Sequence, residues 1–488
     1  MAANVLTQVV KSASFYAFGV FNWFLYLAFS VQSGAFFKRD SEQDKLQYAI
    51  ARDQFWNLSQ APFPGFTHFF YTLRNDVKLH YISNRDGPSS DNLIVLLHGF
   101  PDSSMLWRYL LREPAMPASE ATIVCVDLPG FGGSDSLKAY DTEVLEALTE
   151  FVIAMRDKYI SSEDSGSPST YIVGHDWGCV LGFRLAAEAP YLADRFILTN
   201  APYPEHAFAN KDRVLNSASK IFKQFMRSPR QNFGCLSKSF KTLKPLLWQT
   251  FVMGYIFVFN LPPIFVKSLG VGGNYSFIRG CHRFAYGRGA KEYPVQEAMA
   301  ATFGPSPQEC KTSTVPSSNA EAGETYGPTV LERARSPAEA FWNMTGYYRD
   351  GAATRPWVKS LETIADLYAL EEMASRSSSV SRRSSVSNSL FAEPVKGSLK
   401  APTYVLWGEN DTACSRPICL DGLGDYLGKD SEVTILPRSG HWTPIERESR
   451  PALALAIASF AKRHAEPVPN MTANVRQVYP DAVLMAKK

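Results

Sequence analysis

No two cysteines in this chain are spaced C-x-x-C, and none of its eight histidines stands at metal-ligand spacing from them. The seven cysteines are odd in number and scattered, which argues against a zinc site and a disulfide scaffold and fits an unbridged fold. Charge of either sign is also lacking in excess: 50 Lys and Arg oppose 47 Asp and Glu, a formal +3, and no lysine-rich or arginine-rich face is legible. Nucleic acid is therefore not an expected partner. No internal repeat is present. From Ser12 to Phe37 there is no charged residue at all. Phe15, Tyr16, Phe18, Phe21, Trp23 and Phe24 make that stretch apolar and aromatic, and about 20 such residues cross a bilayer. It is longer than the apolar part of a cleaved signal peptide and no A-x-A-like site follows, so residues 1–38 read as a single membrane anchor. Lys11 and Lys38-Arg39 flank it too evenly to set its orientation.

With 488 residues, the chain can bury a large core. After a polar, helical connector (39–65), Phe66 to Leu73 and Val77 to Ser83 read as paired strands around Asn75-Asp76. Leu93–Leu97 and Thr122–Val126 are continuous apolar runs, as in strands buried on both faces. Thr142 to Tyr159 has helical spacing, and Tyr171–Val173 and Arg195–Thr199 are further strands. Short strands alternating with helices predict an α/β fold with a mostly parallel sheet, its functional residues on loops at the strands' carboxyl ends. The rhythm stops near Ala201 and resumes at Thr403–Gly408 and Val433–Leu436. The core is thus read as 66–200 and 401–464, with 201–400 inserted as a helical lid and 465–488 as a peripheral tail. Within the lid, Pro245 to Val266 is free of charge, but Gly254, Asn260 and Pro262-Pro263 break it, favouring lid helices over a second span. Residues 304–324 and 375–389 have disordered composition, and the second, with arginines preceding serines, also fits a phosphorylation target.

At the end of the central strand stands Gly174-His-Asp-Trp-Gly178, a version of the G-x-S-x-G turn that lifts one side chain off the top of a sheet. No serine occupies its tip. Asp176 does, and a carboxylate is already ionised at neutral pH, so it suits attack on a saturated carbon, leaving an alkyl ester. The competing reading is an aspartate that merely caps the following helix. An ester must be hydrolysed, which calls for an imidazole and an acid to orient it. Asp411, in Gly408-Glu-Asn-Asp411, and His441, in Gly440-His-Trp442, each follow a strand end, in the order nucleophile, acid, histidine. Alone, each reads as a turn or structural residue.

These motifs, with His98-Gly-Phe-Pro101, resemble those of the α/β-hydrolases, and among them the epoxide hydrolases with an aspartate nucleophile. The resemblance runs from about Gly65 to His464, and the anchored arrangement is similar to that of membrane-bound members. It implies backbone N–H donors at Phe100 and Trp177 for an oxyanion. It also implies two lid tyrosines that hold the epoxide oxygen: Tyr255, in Gly254-Tyr-Ile-Phe-Val-Phe-Asn-Leu-Pro262, and Tyr348, in Tyr347-Tyr-Arg-Asp350, with Tyr347 as an adjacent rival. It implies hydrolysis of lipophilic epoxides to vicinal diols, in lipid metabolism or detoxification, with water as co-substrate and neither cofactor nor metal. The expected setting is a single-pass protein of the endoplasmic reticulum membrane. Orientation stays open, and the sequons at Asn57, Asn274, Asn343 and Asn470 would matter only on a lumenal or outer side. Two alternatives remain: a haloalkane dehalogenase, which shares the aspartate and following tryptophan, and a catalytically silent ligand receptor.

Overall fold

Apolar runs of five or six residues make the strands of the centre, because only a sheet covered on both faces buries every successive side chain. A computed structural model describes residues 2–89, 91–160, 168–286, 293–316, 323–377, 395–461 and 470–488. Among them are β1 (Thr67–Thr72), β2 (Lys78–Ser83), β3 (Asn92–Leu97), β4 (Ala121–Val126), β5 (Thr170–His175), β6 (Arg195–Thr199), β7 (Thr403–Gly408), β8 (Glu432–Leu436) and β9 (Val483–Lys487). They form one sheet in the order β1-β2-β4-β3-β5-β6-β7-β8-β9. Pairing is parallel from β4 through β8 and antiparallel at β1/β2, β2/β4 and β8/β9. β3, β4, β6, β7 and β8 are buried at every position, as their composition requires.

Helices cover both faces. α1 (Ala2–Gln32) and α2 (Glu42–Trp56) precede the sheet, α3 (Glu143–Tyr159) lies between β4 and β5, and α4 (Trp177–Glu188) follows β5. Ser41 and Asp44 cap α2 reciprocally, each side chain accepting from the other's backbone N–H. Between β6 and β7 the chain runs through α5 (Pro204–Arg227), α6 (Phe233–Val252), α7 (Gly254–Phe259), α8 (Pro263–Ala285) and α9 (Val295–Phe303), then further helices between residues 328 and 377. The charge-free stretch from Pro245 to Val266 is broken at Met253 and at Asn260-Leu-Pro262, where glycine and proline predict it.

In α1, Thr7–Gln32 is the one segment among the described residues long and apolar enough to cross a membrane. It docks on the lid. A Cβ at Gly19 would lie 2.7 Å from the Phe257 carbonyl oxygen, and one at Gly254 would lie 2.2 Å from Asn22 Oδ1. The Trp23 indole N–H donates to Ser268 Oγ at 3.0 Å. Asn22, the polar residue within the apolar run, is thus buried against α7, its amide donating to the Phe18 carbonyl.

Two segments depart from the sequence reading. The stretch 465–488, expected as a peripheral tail, carries a helix at Met471–Val475 and the edge strand β9 within its described part. Met471 and Tyr479 are buried, and Glu432 accepts from the Thr472 N–H at 2.7 Å. β9 is held by main-chain pairing to β8 while its side chains stay exposed or half-buried, so no hydrophobic pattern marks it. In the stretch 304–324, expected to be disordered, the described part forms a helical turn at Glu309–Thr312, and the Val315 N–H donates to the Glu324 carbonyl at 2.9 Å. Cys310 and Tyr326 anchor it in a small apolar cluster with Phe70. Residues 317–322, and 378–389 of the serine-rich segment, lie outside the described residues.

Candidate active site

β5 ends against its own following helix. A Cβ at Gly174 would lie 2.3 Å from the Gly178 carbonyl oxygen, and one at Gly178 would lie 2.1 Å from that of Leu97. Only glycine fits at either position, and the chain turns there through Asp176 at φ 50°, ψ −115°. The Asp176 side chain makes no capping bond to α4, which removes the helix-cap reading. It points instead across the carboxyl ends of the strands, where the Phe100 N–H donates to Oδ1 at 2.7 Å. The N–H of Trp177 is not bonded to that carboxylate; its indole lines the site, 4.8 Å edge-on from the Tyr348 ring.

His441 follows β8 and brings Nε2 to 3.5 Å from Asp176 Oδ2. Its Nδ1 faces Asp411 Oδ2 at 2.8 Å. Asp411, after β7, is held by the N–H groups of Ala413 and Cys414, which donate to Oδ1 at 2.7 and 2.8 Å. Burial opposes protonation of His441, but the carboxylates of Asp411 and Asp176 outweigh it and lift its pKa from 6.5 to about 10. The carboxylates on either side thus favour the protonated imidazole.

The sequence reading missed Asn200. It follows β6 at φ 52°, and its amide donates to Asp411 Oδ2 and to the Gly440 carbonyl, both at 3.1 Å. The Thr443 hydroxyl donates to Asn200 Oδ1 at 2.6 Å, so one side chain ties the acid loop to the histidine loop. An asparagine one residue beyond a buried strand, where the chain leaves the sheet, was the available signal. Asp102 was missed as well. Burial lifts its carboxyl to about 7, against the pull of Arg108 and with a further push from Asp176.

Near these three side chains stand the lid aromatics. Tyr348 lies 5.7 Å from the Phe100 ring and 6.0 Å from Tyr255, and Phe259 packs 5.1 Å from Tyr348. Burial raises the pKa of both phenols, with the Asp176 charge adding to it. Tyr347 differs: it is fully buried and donates its hydroxyl to the Pro129 carbonyl at 2.9 Å, away from the carboxylate. Among the described residues, Asp411, Cys414 and His441 bring possible metal ligands within 4.8 Å of one another. The facing atoms of Asp411 and His441 are already bonded to each other, and Asp411 Oδ1 to two N–H groups, so the set offers a cation little free coordination.

A family profile described as the alpha/beta hydrolase fold matches residues 92–250. Epoxide hydrolase 4 of Mus musculus is 29% identical over 185 residues, spanning 37% of this chain and 48% of that protein. Epoxide hydrolase 3 of Xenopus tropicalis is 33% identical over 149 residues, 30% of this chain and 36% of that protein. The matches thus cover about half or less of the relatives' own length. The crystal structure of a Bacillus megaterium epoxide hydrolase in complex with an inhibitor superposes with TM-score 0.41 at 20% identity, covering 77% of this chain and 94% of that one. This chain has the α/β-hydrolase fold, and both of these sequence relatives are epoxide hydrolases.

Proposed function

We propose that the chain hydrolyses lipophilic epoxides to vicinal diols through an ester on Asp176. The observation that carries this reading is one carboxylate with its two oxygens differently held: Oδ1 on the Phe100 N–H, Oδ2 open toward His441. Oδ2 attacks a ring carbon and the C–O bond to the epoxide oxygen breaks. Tyr255 and Tyr348 hold that oxygen and protonate it, since an alkoxide is far more basic than a phenolate of pKa about 10. Ester formation removes the Asp176 charge and with it part of what keeps His441 protonated. The imidazole then loses its proton, restoring the phenol, and takes one from water as that water attacks the ester carbonyl. Negative charge gathers on Oδ1, where the N–H donor of Phe100 already points; Trp177 is proposed as the second donor. The diol leaves with the former Oδ2, and Asp176 regains its carboxylate with one oxygen from water.

Asp411 orients His441, as two N–H donors and Asn200 leave it one direction to face. Tyr348 suits the donor role better than Tyr347, whose hydroxyl is already bonded. A dehalogenase would need no proton donor at the leaving group, so the pair of phenols supports the epoxide reading. The aromatic walls suit apolar epoxides of lipid or xenobiotic origin. The N-terminal helix supports a membrane-anchored enzyme, and the endoplasmic reticulum is the proposed membrane. The test is one turnover in heavy-oxygen water. The diol should carry unlabelled oxygen and Asp176 should gain the label. Label passing directly into the diol, with Asp176 unlabelled after many turnovers, refutes the ester route. No diol from any epoxide, with Asp176→Ala binding each ligand like wild type, points to the silent receptor.

A further inference from the structure

The whole chain is nearly neutral, but its charge is not evenly spread. Between residues 213 and 244 stand eight Lys and Arg and no Asp or Glu, and no carboxylate side chain follows before Glu292. These residues lie on α5, on α6 and on the turn between them, all eight are exposed, and none forms an ion pair with a described carboxylate. The two helices pack against each other as a hairpin.

The outer face of the same hairpin is apolar. On α5 the exposed side chains Phe208, Leu215, Phe222 and Met226 recur at intervals of seven, seven and four. On α6 the same intervals carry Phe233, Phe240, Leu247 and Phe251, with Trp248 beside them. Such intervals return to one side of a helix of 3.6 residues per turn. Phe233 is 70% exposed and Phe240 60%, whereas Val214 and Ala218 of α5 face inward. Arg213, Lys220, Lys223 and Arg227 of α5 and Lys238 and Lys241 of α6 flank the apolar stripe, whereas Lys244 falls within it, four residues after Phe240 and three before Leu247, as Asp212 does between Phe208 and Leu215. So many large apolar side chains exposed on one side of two packed helices mark a surface that meets a partner.

Two features identify what covers it. An apolar face bordered by Lys and Arg is the composition of a helix lying in the plane of a membrane surface, where apolar side chains reach the acyl boundary and cations meet lipid phosphates. The hairpin is also continuous with the anchor: α6 passes through Met253 alone into α7, the helix against which α1 packs. We propose that the α5–α6 hairpin lies flat in the headgroup layer of an anionic membrane leaflet, its apolar stripe inserted and its basic flanks on the lipid phosphates. This surface is independent of the reaction at Asp176.

Trp248, 55% exposed on this face, reports its depth. The full-length protein is reconstituted into phosphatidylcholine vesicles with or without phosphatidylserine, the acyl chains brominated near the headgroup. The quenching lost on Trp248→Phe is the contribution of that indole. It should be several-fold larger in vesicles containing phosphatidylserine. Raising the ionic strength should reduce it in the wild type, and so should the combined change Lys220→Glu, Lys223→Glu, Lys241→Glu and Lys244→Glu. In both cases α1 should stay inserted, resisting alkaline extraction, and diol formation should be retained. The ionic-strength arm needs no variant, so a misfolded mutant does not blunt the test. Equal quenching with and without phosphatidylserine, no Trp248 component at all, or protection of the hairpin by RNA or an added protein in place of vesicles would each overturn the proposal.

Discussion

Removing the charge of Asp176 without changing its shape should lower the pKa of His441. The two carboxylates stand 2.8 and 3.5 Å from its nitrogens and lift it from 6.5 to about 10 against the cost of burial. At the longer distance a pair of unit charges interacts by roughly 5 kcal/mol at an effective dielectric constant of about 20, and by roughly 1 kcal/mol in water. With about 1.4 kcal/mol per pKa unit, Asp176→Asn should drop His441 by about one to three units. Selective isotope labelling of the histidine rings and an NMR titration in detergent would read this directly. The same change has a stability signature. A folded-state pKa above the unfolded one gives stability that is complete below about pH 6.5 and disappears as pH rises through about 10. Wild-type melting temperature should therefore fall across that window more steeply than that of Asp176→Asn. If His441 titrates in the wild type near 6.5, or if its pKa is the same in Asp176→Asn, the electrostatic coupling between the proposed nucleophile and base is wrong. The proposed switch of His441 from cation to base on ester formation fails with it.

Five substitutions test the remaining assignments. His441→Gln should permit attack but not hydrolysis, so intact mass should rise by one substrate per protein without turnover. Tyr255→Phe and Tyr348→Phe should each lower kcat by about 10²-fold or more in steady-state diol assays, the range of positioned proton donors. Tyr347→Phe should leave kcat close to wild type and instead cost about 1–3 kcal/mol in thermal unfolding, because the buried Pro129 carbonyl loses its donor. Gly178→Ala forces a Cβ to 2.1 Å from the Leu97 carbonyl oxygen and should destabilise the fold by about 3 kcal/mol or more, read as a drop in melting temperature.

What the sequence made legible is what a single residue type or spacing enforces. Gly174 and Gly178 flank Asp176 because backbone stands 2.3 and 2.1 Å from where their Cβ atoms would be, so the elbow is written in the chain itself. The central strands were legible because they are buried on both faces. β9 was not, since its pairing is main-chain and its side chains carry no alternation. Asn200 was hidden for another reason: its partners Asp411, Gly440 and Thr443 lie more than two hundred residues away. Tyr347 and Tyr348 are adjacent and chemically identical in sequence; the fold distinguishes them, bonding Tyr347 to Pro129 and packing Tyr348 on Phe100 and Tyr255. The basic face was legible in principle and was lost by averaging, because a surplus of eight cations between residues 213 and 244 disappears into a whole-chain balance of +3.

The helix that carries Tyr255 has two neighbours, and they constrain each other. On one side of α7, Tyr255 and Phe259 face Tyr348 at 6.0 and 5.1 Å, above the carboxylate. On the other, Gly254 and Phe257 contact Asn22 and Gly19 of α1 so closely that a methyl group added at either glycine would force its neighbour to shift. A helix of six residues is too short to be stable alone, so its placement depends on what packs against it. α6 enters it directly, and Gln249 near the end of α6 accepts from the Ser415 N–H at 2.7 Å while its amide donates to the Ala413 carbonyl at 2.8 Å, beside the Asp411 loop. α1, the Tyr255 phenol and the acid of the proposed triad are therefore linked through about ten residues of lid, from Gln249 to Phe259. A change in how α1 packs against α7 reaches the active site by displacing Tyr255 before it alters any residue of the sheet.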